Sequence, residues 1–581
     1  MVSAVEVFFA AVPLLITAGL LIGLLWPATR AMPIAWLSAA VIGFAVWQMP
    51  PDWVAAASIV GVMTALEILW IVFGALVLLY TLMHAGAFDR INRGFVSISD
   101  DRRVQVVLLA FFLATFIEGA AGFGTPAAVV APLLLGLGFP ALAAVVAAII
   151  GHIIAVTYGA VGTPIIVGIQ DPLSAGGYEE VLAGGGYTVP EFATQVAAWA
   201  ATYHALVGFT MPLFAVGMVV YFFGDRDTRS LKPAWEVAPL CLFAGISFAI
   251  PYWISAWFFT AEFPSLIGSM VGGAVVVGVL RAGYLLPDTE WDFPPQEEWP
   301  DHWVGTIEPG ENGTGSGDPG RPAVADGGVV RGSEMSLLRA WSPYVLLVVL
   351  LVVTRAVDPI STFINEPSFI VEWSSILGTG LGNDIAWMNS PGFWLVVSAL
   401  VAIPILRMDG AQVSAAWREA AEKLVAPFIA LVFVIAMVQV MINSGAHPGA
   451  PEDGSMIVVL AEATANTFGQ AYPAVTALIG ALAAAMVGSN TVSNITFSGF
   501  QLEAAQQLGL PIQIIVGAQA VGGAIGNLIA IHNVVAALAT VGLVGQEGRV
   551  MRLNLIPLIY YTVGVGVLAM LFSYVLFPGL F

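Results

Sequence analysis

The chain has 581 residues, of which 59% are hydrophobic and 10% charged, against about 25% charged in ordinary soluble domains. That composition excludes a water-soluble globular protein, and apolar windows of about 20 residues, each long enough to cross a hydrocarbon core of about 30 Å, indicate a polytopic helical membrane protein. The net charge is −20 and only two of the 18 basic residues, Lys232 and Lys423, are lysine, an acidic surface that suits high salt and a salt-loving prokaryotic source but says nothing of substrate.

Met1 to Glu6 carries an acid and no Lys or Arg, so it lacks the basic start of a secretory signal. The run from about Val7 to Trp26 reads as the first span. Further spans are predicted at about 31–49, 54–83, 141–169, 196–222, 237–257, 264–283, 341–357, 391–406, 424–443, 511–543 and 553–579, giving about 12 transmembrane helices. Two other apolar regions, 104–137 and 473–509, are interrupted by Thr115-Phe-Ile-Glu-Gly-Ala-Ala-Gly-Phe-Gly-Thr-Pro126 and by Gly488-Ser-Asn-Thr-Val-Ser-Asn494. Broken backbone at membrane depth is tolerated only where protein or a water-filled cavity surrounds it. Interrupted helices in corresponding places of two halves point to a transporter's midplane binding site. An integral-membrane enzyme is disfavoured: His84, His152, His204, His302, His447 and His532 offer no paired ligand spacing, Cys241 is the one cysteine, and no Gly-x-x-x-x-Gly-Lys motif occurs. No catalytic residue, metal site, cofactor or nucleic-acid partner is expected.

Lys and Arg concentrate on the cytoplasmic side of membrane proteins. Arg90, Arg93, Arg102 and Arg103 mark one cytoplasmic loop; Arg226, Arg229 and Lys232 a second; Arg407, Arg418 and Lys423 a third; Arg549 and Arg552 a fourth. Three long loops, roughly 170–195, 358–390 and 444–472, contain no basic residue and read as outside. Arg355, near an outer helix end, argues the other way. Parity then requires 104–137 and 473–509 to enter and return as re-entrant hairpins, the first from the cytoplasm and the second from outside. This is the pattern of an inverted-topology repeat, with both termini outside. Gly119 precedes Pro140 by 21 residues and Gly488 precedes Pro511 by 23, with Gly151 and Gly522 each 11 beyond their proline, a faint echo of the same repeat. The expected fold is therefore an all-α polytopic membrane protein with an N-terminal repeat (1–284), an acidic cytoplasmic linker (285–336) and a C-terminal repeat (337–581). Between Pro287 and Ser336 there are 11 acids and two arginines, net −9, amid many Gly and Pro, a composition that favours disorder.

Glu118 is the leading candidate for coupling. A carboxylate in an apolar hairpin costs about 2.5–3.5 kcal/mol, and burial favours its neutral form, which suits a group that gains and loses a proton. Its alternative is a structural carboxyl bonded to the hairpin glycines. Gly119, Gly122 and Gly124 permit close approach of a ligand, Thr125 offers a hydroxyl, and Pro126 suits a first helical turn. Together they read as a helix N-terminus presented to an anion, or else as close helix packing through small residues. In the second hairpin Ser489, Asn490, Thr491, Ser493 and Asn494 offer hydroxyls and amides to a small carboxylate. No Arg or Lys falls mid-span, so a bound anion relies on N–H groups, hydroxyls and helix dipoles, which favours a small, singly charged substrate. Glu67, His152 and His532 are candidates for a proton path, with packing roles as the alternative, and Asp171 reads as lying at the outer mouth.

The run Phe116-Ile-Glu-Gly-Ala-Ala-Gly-Phe-Gly-Thr-Pro-Ala127 closely resembles the hallmark of the L-lactate permease family. So do Gly488 to Asn494, Ala518-Gln-Ala-Val-Gly-Gly-Ala-Ile-Gly-Asn527, and Ala539-Thr-Val-Gly-Leu543 with Gly545-Gln-Glu-Gly548. The resemblance implies secondary uptake of L-lactate, glycolate or related 2-hydroxy monocarboxylates with protons, in a multi-pass protein of the cell membrane. The hairpin with Ser489-Asn490-Thr491 also looks like the substrate-binding tips of the wider ion-transporter superfamily, whose members often carry Ser-Asn-Thr in both repeats and move by an elevator mechanism. The first repeat has Glu118 and glycines instead, which favours proton coupling there over sodium. The runner-up is a sodium-coupled carrier of small organic anions. The sequence is compatible with a homo-oligomer.

Overall fold

The computed structural model describes residues 3–24, 26–122, 124–225, 229–309, 335–451 and 454–581. Among them are 13 helices long and apolar enough to cross a membrane, and shorter apolar helices at Thr125–Gly136, Ala141–Gly151, Pro391–Leu406 and Ile531–Thr540. Side-chain periodicity shows which faces meet lipid. In Ala28–Ala45, Ile34, Leu37, Val41 and Phe44 are exposed, while Ala31, Ala35, Ala39 and Ile42 are buried on the opposite face. An exposed row of large apolar residues at helical spacing is what hydrocarbon solvates.

The helices form two packed groups. In one, Pro51–His84 and Gly410–Asn443, each 34 residues, lie against each other and against Ala28–Ala45 and Pro391–Leu406. Glycines set the spacing: a Cβ at Gly61 would come within 2.4 Å of Ala436 Cα, and one at Gly74 within 2.4 Å of the Gly392 carbonyl. Small residues let helices approach where no hydrophobic effect drives them together. The second group contains both interrupted regions. In the first, Arg102–Ala120 ends and helix resumes as Thr125–Gly136, and the arms pack on one another. In the second, Tyr472–Val487 breaks at Gly488 and resumes as Asn490–Leu508.

Two helices expected to run unbroken are also interrupted. The 141–169 span is helical over Ala141–Gly151, tightens to a 3-10 segment at Ile153–Tyr158, then turns left-handed at Ala160, Val161 and Gly162 (φ 44, 56 and 80°). Left-handed backbone at non-glycine residues costs on the order of 1–3 kcal/mol each and persists only where the surroundings over-determine it. The 511–543 span runs Ile512–Gly526, a 3-10 turn at Asn527–Ile529, an extended Ala530, and Ile531–Thr540.

The loops hold more structure than their composition suggests. The 444–472 loop carries the helix Met456–Phe468, N-capped by Ser455, because Met456-Ile-Val-Val-Leu460 is apolar enough to pack. Within 358–390, strands Ile370–Trp373 and Asn383–Ala386 pair antiparallel, the one departure from an all-helical chain among the described residues. Of the 285–336 stretch, 310–334 lies outside the described residues. The part from 285 to 309 packs as a strap, because its aromatics find partners: Phe293 against Phe139, and Trp303 against Phe223. Arg103, itself buried, binds Asp101, Glu236 and the Thr289 carbonyl, and Thr306 N–H donates to the Gly542 carbonyl at 2.9 Å.

Candidate functional site

The helix breaks converge. One cavity is lined by Glu118, Gly122 and Gly124 from the first interrupted region, His152, Val156, Gly159, Ala160 and Pro164 from the first broken helix, Gly488, Ser489, Asn490 and Thr491 from the second interrupted region, and Asn527 and Asn533 from the second broken helix. Its volume is about 30 Å³, space for roughly two waters. Among the described residues, no Arg or Lys lines it.

A shared turn shapes two of the four breaks. Gly124-Thr125-Pro126 and Gly162-Thr163-Pro164 have the same sequence, and both glycines are left-handed (φ 77 and 80°). Both threonine hydroxyls donate to the carbonyl three residues back, Thr125 to Gly122 and Thr163 to Ala160. The hydroxyl helps satisfy a carbonyl at the break, and the Gly122 carbonyl also accepts from Thr125 N–H at 3.1 Å. Glycine is needed at several points for close approach. A Cβ at Gly159 would lie 2.3 Å from Glu118 Oε1, one at Gly124 2.3 Å from Asn533 Oδ1, and one at Gly488 (φ 75°) 1.9 Å from the His532 ring.

Glu118 is 4% exposed and His152 3%. Their closest approach is 3.9 Å, from Glu118 Oε2 to His152 Nε2. His152 Nδ1 lies 2.7 Å from the Ala148 carbonyl. A carbonyl only accepts, so Nδ1 carries the hydrogen and Nε2 is the nitrogen that faces the carboxyl with a free lone pair or a second proton. The pair therefore exchanges protons only at the glutamate oxygens and at Nε2. With no exchangeable proton its charge is −1, with one it is zero, and with two it is +1.

The second interrupted region supplies polar groups of two kinds. Ser489 caps Asn490–Leu508, its hydroxyl accepting from Val492 N–H. Asn490 and Thr491 line the cavity and occupy the first two helical positions, where backbone N–H groups have no intrahelical acceptor. Asn490 Nδ2 donates to the Val156 carbonyl at 3.5 Å and Asn494 Nδ2 to the Pro164 carbonyl at 2.9 Å, joining this region to the first broken helix. The side-chain oxygens of Asn490, Asn494 and Asn533 are buried without a hydrogen-bond partner among the described residues. Behind them runs a thread of bonds: Tyr472 hydroxyl to Gln501, Gln501 amide to Gln519, Gln519 amide to Ser493, and Ser493 hydroxyl to the Gly480 carbonyl.

The expected residues thus divide. Glu118, Gly122, Gly124, His152, Ser489, Asn490 and Thr491 come together at the cavity. Gly119 instead packs on Ser265, where a Cβ would meet its side chain at 2.9 Å. The Thr125 hydroxyl is engaged in its turn, and Ser493 and Asn494 brace the cavity from behind. The His532 ring lies over Gly488, and its neighbour Asn533 is the residue that reaches the cavity, its amide donating to Asn527 Oδ1 at 2.8 Å. Glu67 opens onto a separate vestibule of about 850 Å³, shared with Asp171, Glu262, Arg355 and Asp384. Arg355 is held there by Glu262 at 3.0 Å and by Asn389. Pro164 lines the cavity and Ile165 the vestibule, so one turn of the broken helix parts the two spaces. Sequence reasoning missed Gly159, Ala160, Pro164, Val156 and Asn527, and noted Asn533 only as the neighbour of His532. The repeated Gly-Thr-Pro was the available signal for the first three.

The L-lactate permease family model matches residues 6–576. The chain belongs to the L-lactate permease family. It is similar to the putative L-lactate permease of Haemophilus influenzae, with 26% identity over 95% of this chain and 94% of that one. It is likewise similar to the L-lactate permease of Escherichia coli (27% identity, 88% of this chain, 85% of that one) and to the glycolate permease GlcA of the same organism (26%, 93% and 90%). Among solved structures, the YdaH transporter of Alcanivorax borkumensis aligns over 87% of this chain and 85% of that one at 14% identity, with a TM-score of 0.37. Membership of this family and 13 apolar helices make the chain a multi-pass membrane permease rather than an enzyme.

Proposed function

We propose that this permease imports L-lactate, glycolate or a similar small 2-hydroxy monocarboxylate together with protons across the cell membrane. The observation that carries the reading is that Glu118 and His152 share one cavity with Asn490 and Thr491, the first two residues of a helix, where backbone amides lack intrahelical acceptors. Those amides and the helix dipole behind them favour an anion. An unprotonated Glu118 repels it. Each proton taken up by the pair raises the local charge by one, so proton and anion binding reinforce each other, and neither moves efficiently alone. The relatives' names give the substrate class, and the absence of Arg or Lys from the cavity lining favours a single charge over several.

On this reading the interrupted regions are re-entrant hairpins of two inverted repeats, 1–284 and 337–581, that meet at the bilayer midplane, with both termini outside. The cavity admits the acid when the turns at Gly124, 159–162 and 488–489 move apart. Labelled L-lactate uptake into proteoliposomes, with proton and sodium gradients imposed separately, tests the proposal. Accumulation under a proton gradient alone is expected; no uptake under either gradient by a preparation that still exchanges another substrate rules out the acid named. A second reading, a sodium-coupled carrier, draws on the unpartnered oxygens of Asn490 and Asn533 at the cavity, which suit a hard cation. Accumulation driven by sodium alone would select it.

A further inference from the structure

A second basin lies far from the cavity in sequence, on the side that the loop charges mark as cytoplasmic. It has a volume of about 230 Å³, and its wall includes Arg229, Arg549 and Arg552 beside Phe222, Trp303 and Leu553. Several arginines elsewhere in this acidic chain are matched by carboxylates: Arg102 with Asp292, Arg103 with Asp101 and Glu236, Arg355 with Glu262. Among the described residues, no guanidinium of the basin's three is paired with a carboxylate. Three like charges around one concavity repel, and 38 acids against 18 bases left ample carboxylates to answer them. The basin is built for an anion from outside the chain.

Its surroundings indicate where the anion comes from. Arg549 and Arg552 stand in the first two turns of Glu547–Leu571. The next turns of that helix present Leu555, Ile556, Ile559, Val563 and Val567, all exposed large apolar residues and thus a membrane-facing row. A headgroup in the basin would place its acyl chains along this row. Basic pockets between transmembrane helices on the cytoplasmic side take anionic lipid headgroups in this way.

We propose that the basin of Arg229, Arg549 and Arg552 binds the phosphate of an anionic phospholipid headgroup. The three arginines come from the loop after Met211–Phe223 and from the start of Glu547–Leu571, and Trp303 comes from the strap. A bound phosphate therefore ties that loop to the start of Glu547–Leu571 by charge-assisted bonds, beside the strap residue Trp303.

The test uses the purified full chain, with phosphatidylglycerol, phosphatidylcholine and inorganic phosphate as separate probes, read by native mass spectrometry and by thermal unfolding. Phosphatidylglycerol is expected to be retained and to raise the melting temperature, whereas phosphatidylcholine does neither. The triple variant R229Q/R549Q/R552Q should bind phosphatidylglycerol about 100-fold more weakly, roughly fivefold per arginine, and the single variant R552Q about fivefold more weakly. Equal retention of both lipids, or undiminished phosphatidylglycerol binding by R552Q and the triple variant, overturns the proposal. Inorganic phosphate that reproduces the stabilisation at matched concentration and displaces the lipid would make this a site for free phosphate and overturn the lipid assignment.

Discussion

Replacing Glu118 by glutamine removes one titratable proton at nearly constant shape, which isolates its part in coupling. Glu118 Oε2 lies 3.9 Å from the one other titratable side chain lining the cavity, and a substrate carboxylate seated in so small a space would stand at a similar separation. Two unit charges about 4 Å apart at an effective dielectric of about 20 interact by about 4 kcal/mol. At 1.4 kcal/mol per tenfold change, deprotonating Glu118 therefore weakens anion binding by roughly 1000-fold. The sign follows from the charge: affinity is highest at acid pH, with the carboxyl neutral, and falls as pH rises through its titration. E118Q mimics the neutral carboxyl at every pH. It should bind L-lactate at alkaline pH far more tightly than wild type and lose most of the pH dependence, leaving only what His152 contributes. In proteoliposomes, exchange of labelled for unlabelled lactate should persist, while accumulation against a gradient driven by protons should disappear. The decisive assay is the ratio of gradient-driven to exchange uptake in the same vesicles. A ratio equal to wild type would remove Glu118 from the coupling role, and with it the proposed mechanism.

G159A should abolish uptake, because the new methyl would lie 2.3 Å from Glu118 Oε1, whereas G136A, where nothing lies within 4 Å, should transport normally; equal activity of the two would refute the geometry of the break. G488A combines the left-handed penalty, about 1–2 kcal/mol, with a methyl driven into the His532 ring, and exchange should fall at least tenfold without loss of folded protein by size-exclusion chromatography. T163V removes a buried hydroxyl that closes the turn before Pro164; a loss of about 1 kcal/mol, read as a lower melting temperature, is expected, and an unchanged one would show that the turn does not depend on it. R103Q leaves Asp101, 1% exposed, with backbone N–H donors from Arg103, Val104 and Trp291 but no guanidinium, and should destabilise by about 1–3 kcal/mol, more than R552Q; matching melting temperatures for the two would contradict the buried network.

The membrane class, the interrupted regions and most cavity residues were legible because hydrocarbon imposes a strict rule on backbone. A polar, glycine-rich stretch between apolar flanks has few places to go, and Glu118 and Asn490 could be singled out on that ground alone. The breaks at 159–162 and 527–530 were not legible by the same rule. Ala160, Val161, Ile529 and Ala530 are apolar, and their departure from helix goes with tertiary contacts: Gly162 lies against the Ala261 carbonyl and Asn554 Nδ2 donates to the Leu528 carbonyl at 2.7 Å. Asn533 was hidden behind its more conspicuous neighbour His532, since one residue's rotation about a helix decides which side chain faces inward. The strap at 285–309 was hidden differently. Average composition predicts disorder there, but Phe293, Trp299 and Trp303 are sparse anchors whose value depends on a surface that the linker's own sequence does not describe.

The lack of fixed positive charge at the cavity ties selectivity to coupling on the proposed reading. Were an arginine present, it would hold a carboxylate at all pH values, and the anion could bind and cross without a proton. Amide dipoles and a neutral or protonated Glu118–His152 pair hold it only conditionally. The strength of that condition is the same electrostatic term, about 4 kcal/mol, that sets the expected response of E118Q. A multivalent acid would need as many compensating protons as it has charges beyond the first, and the pair has room for two exchangeable protons at most. An arginine introduced at the cavity wall, as in V156R, is therefore expected to convert coupled uptake into leak: anion exchange retained, accumulation lost, and lactate binding indifferent to pH even with Glu118 intact. Retained proton-driven accumulation in V156R would mean that coupling does not depend on the charge balance of this cavity.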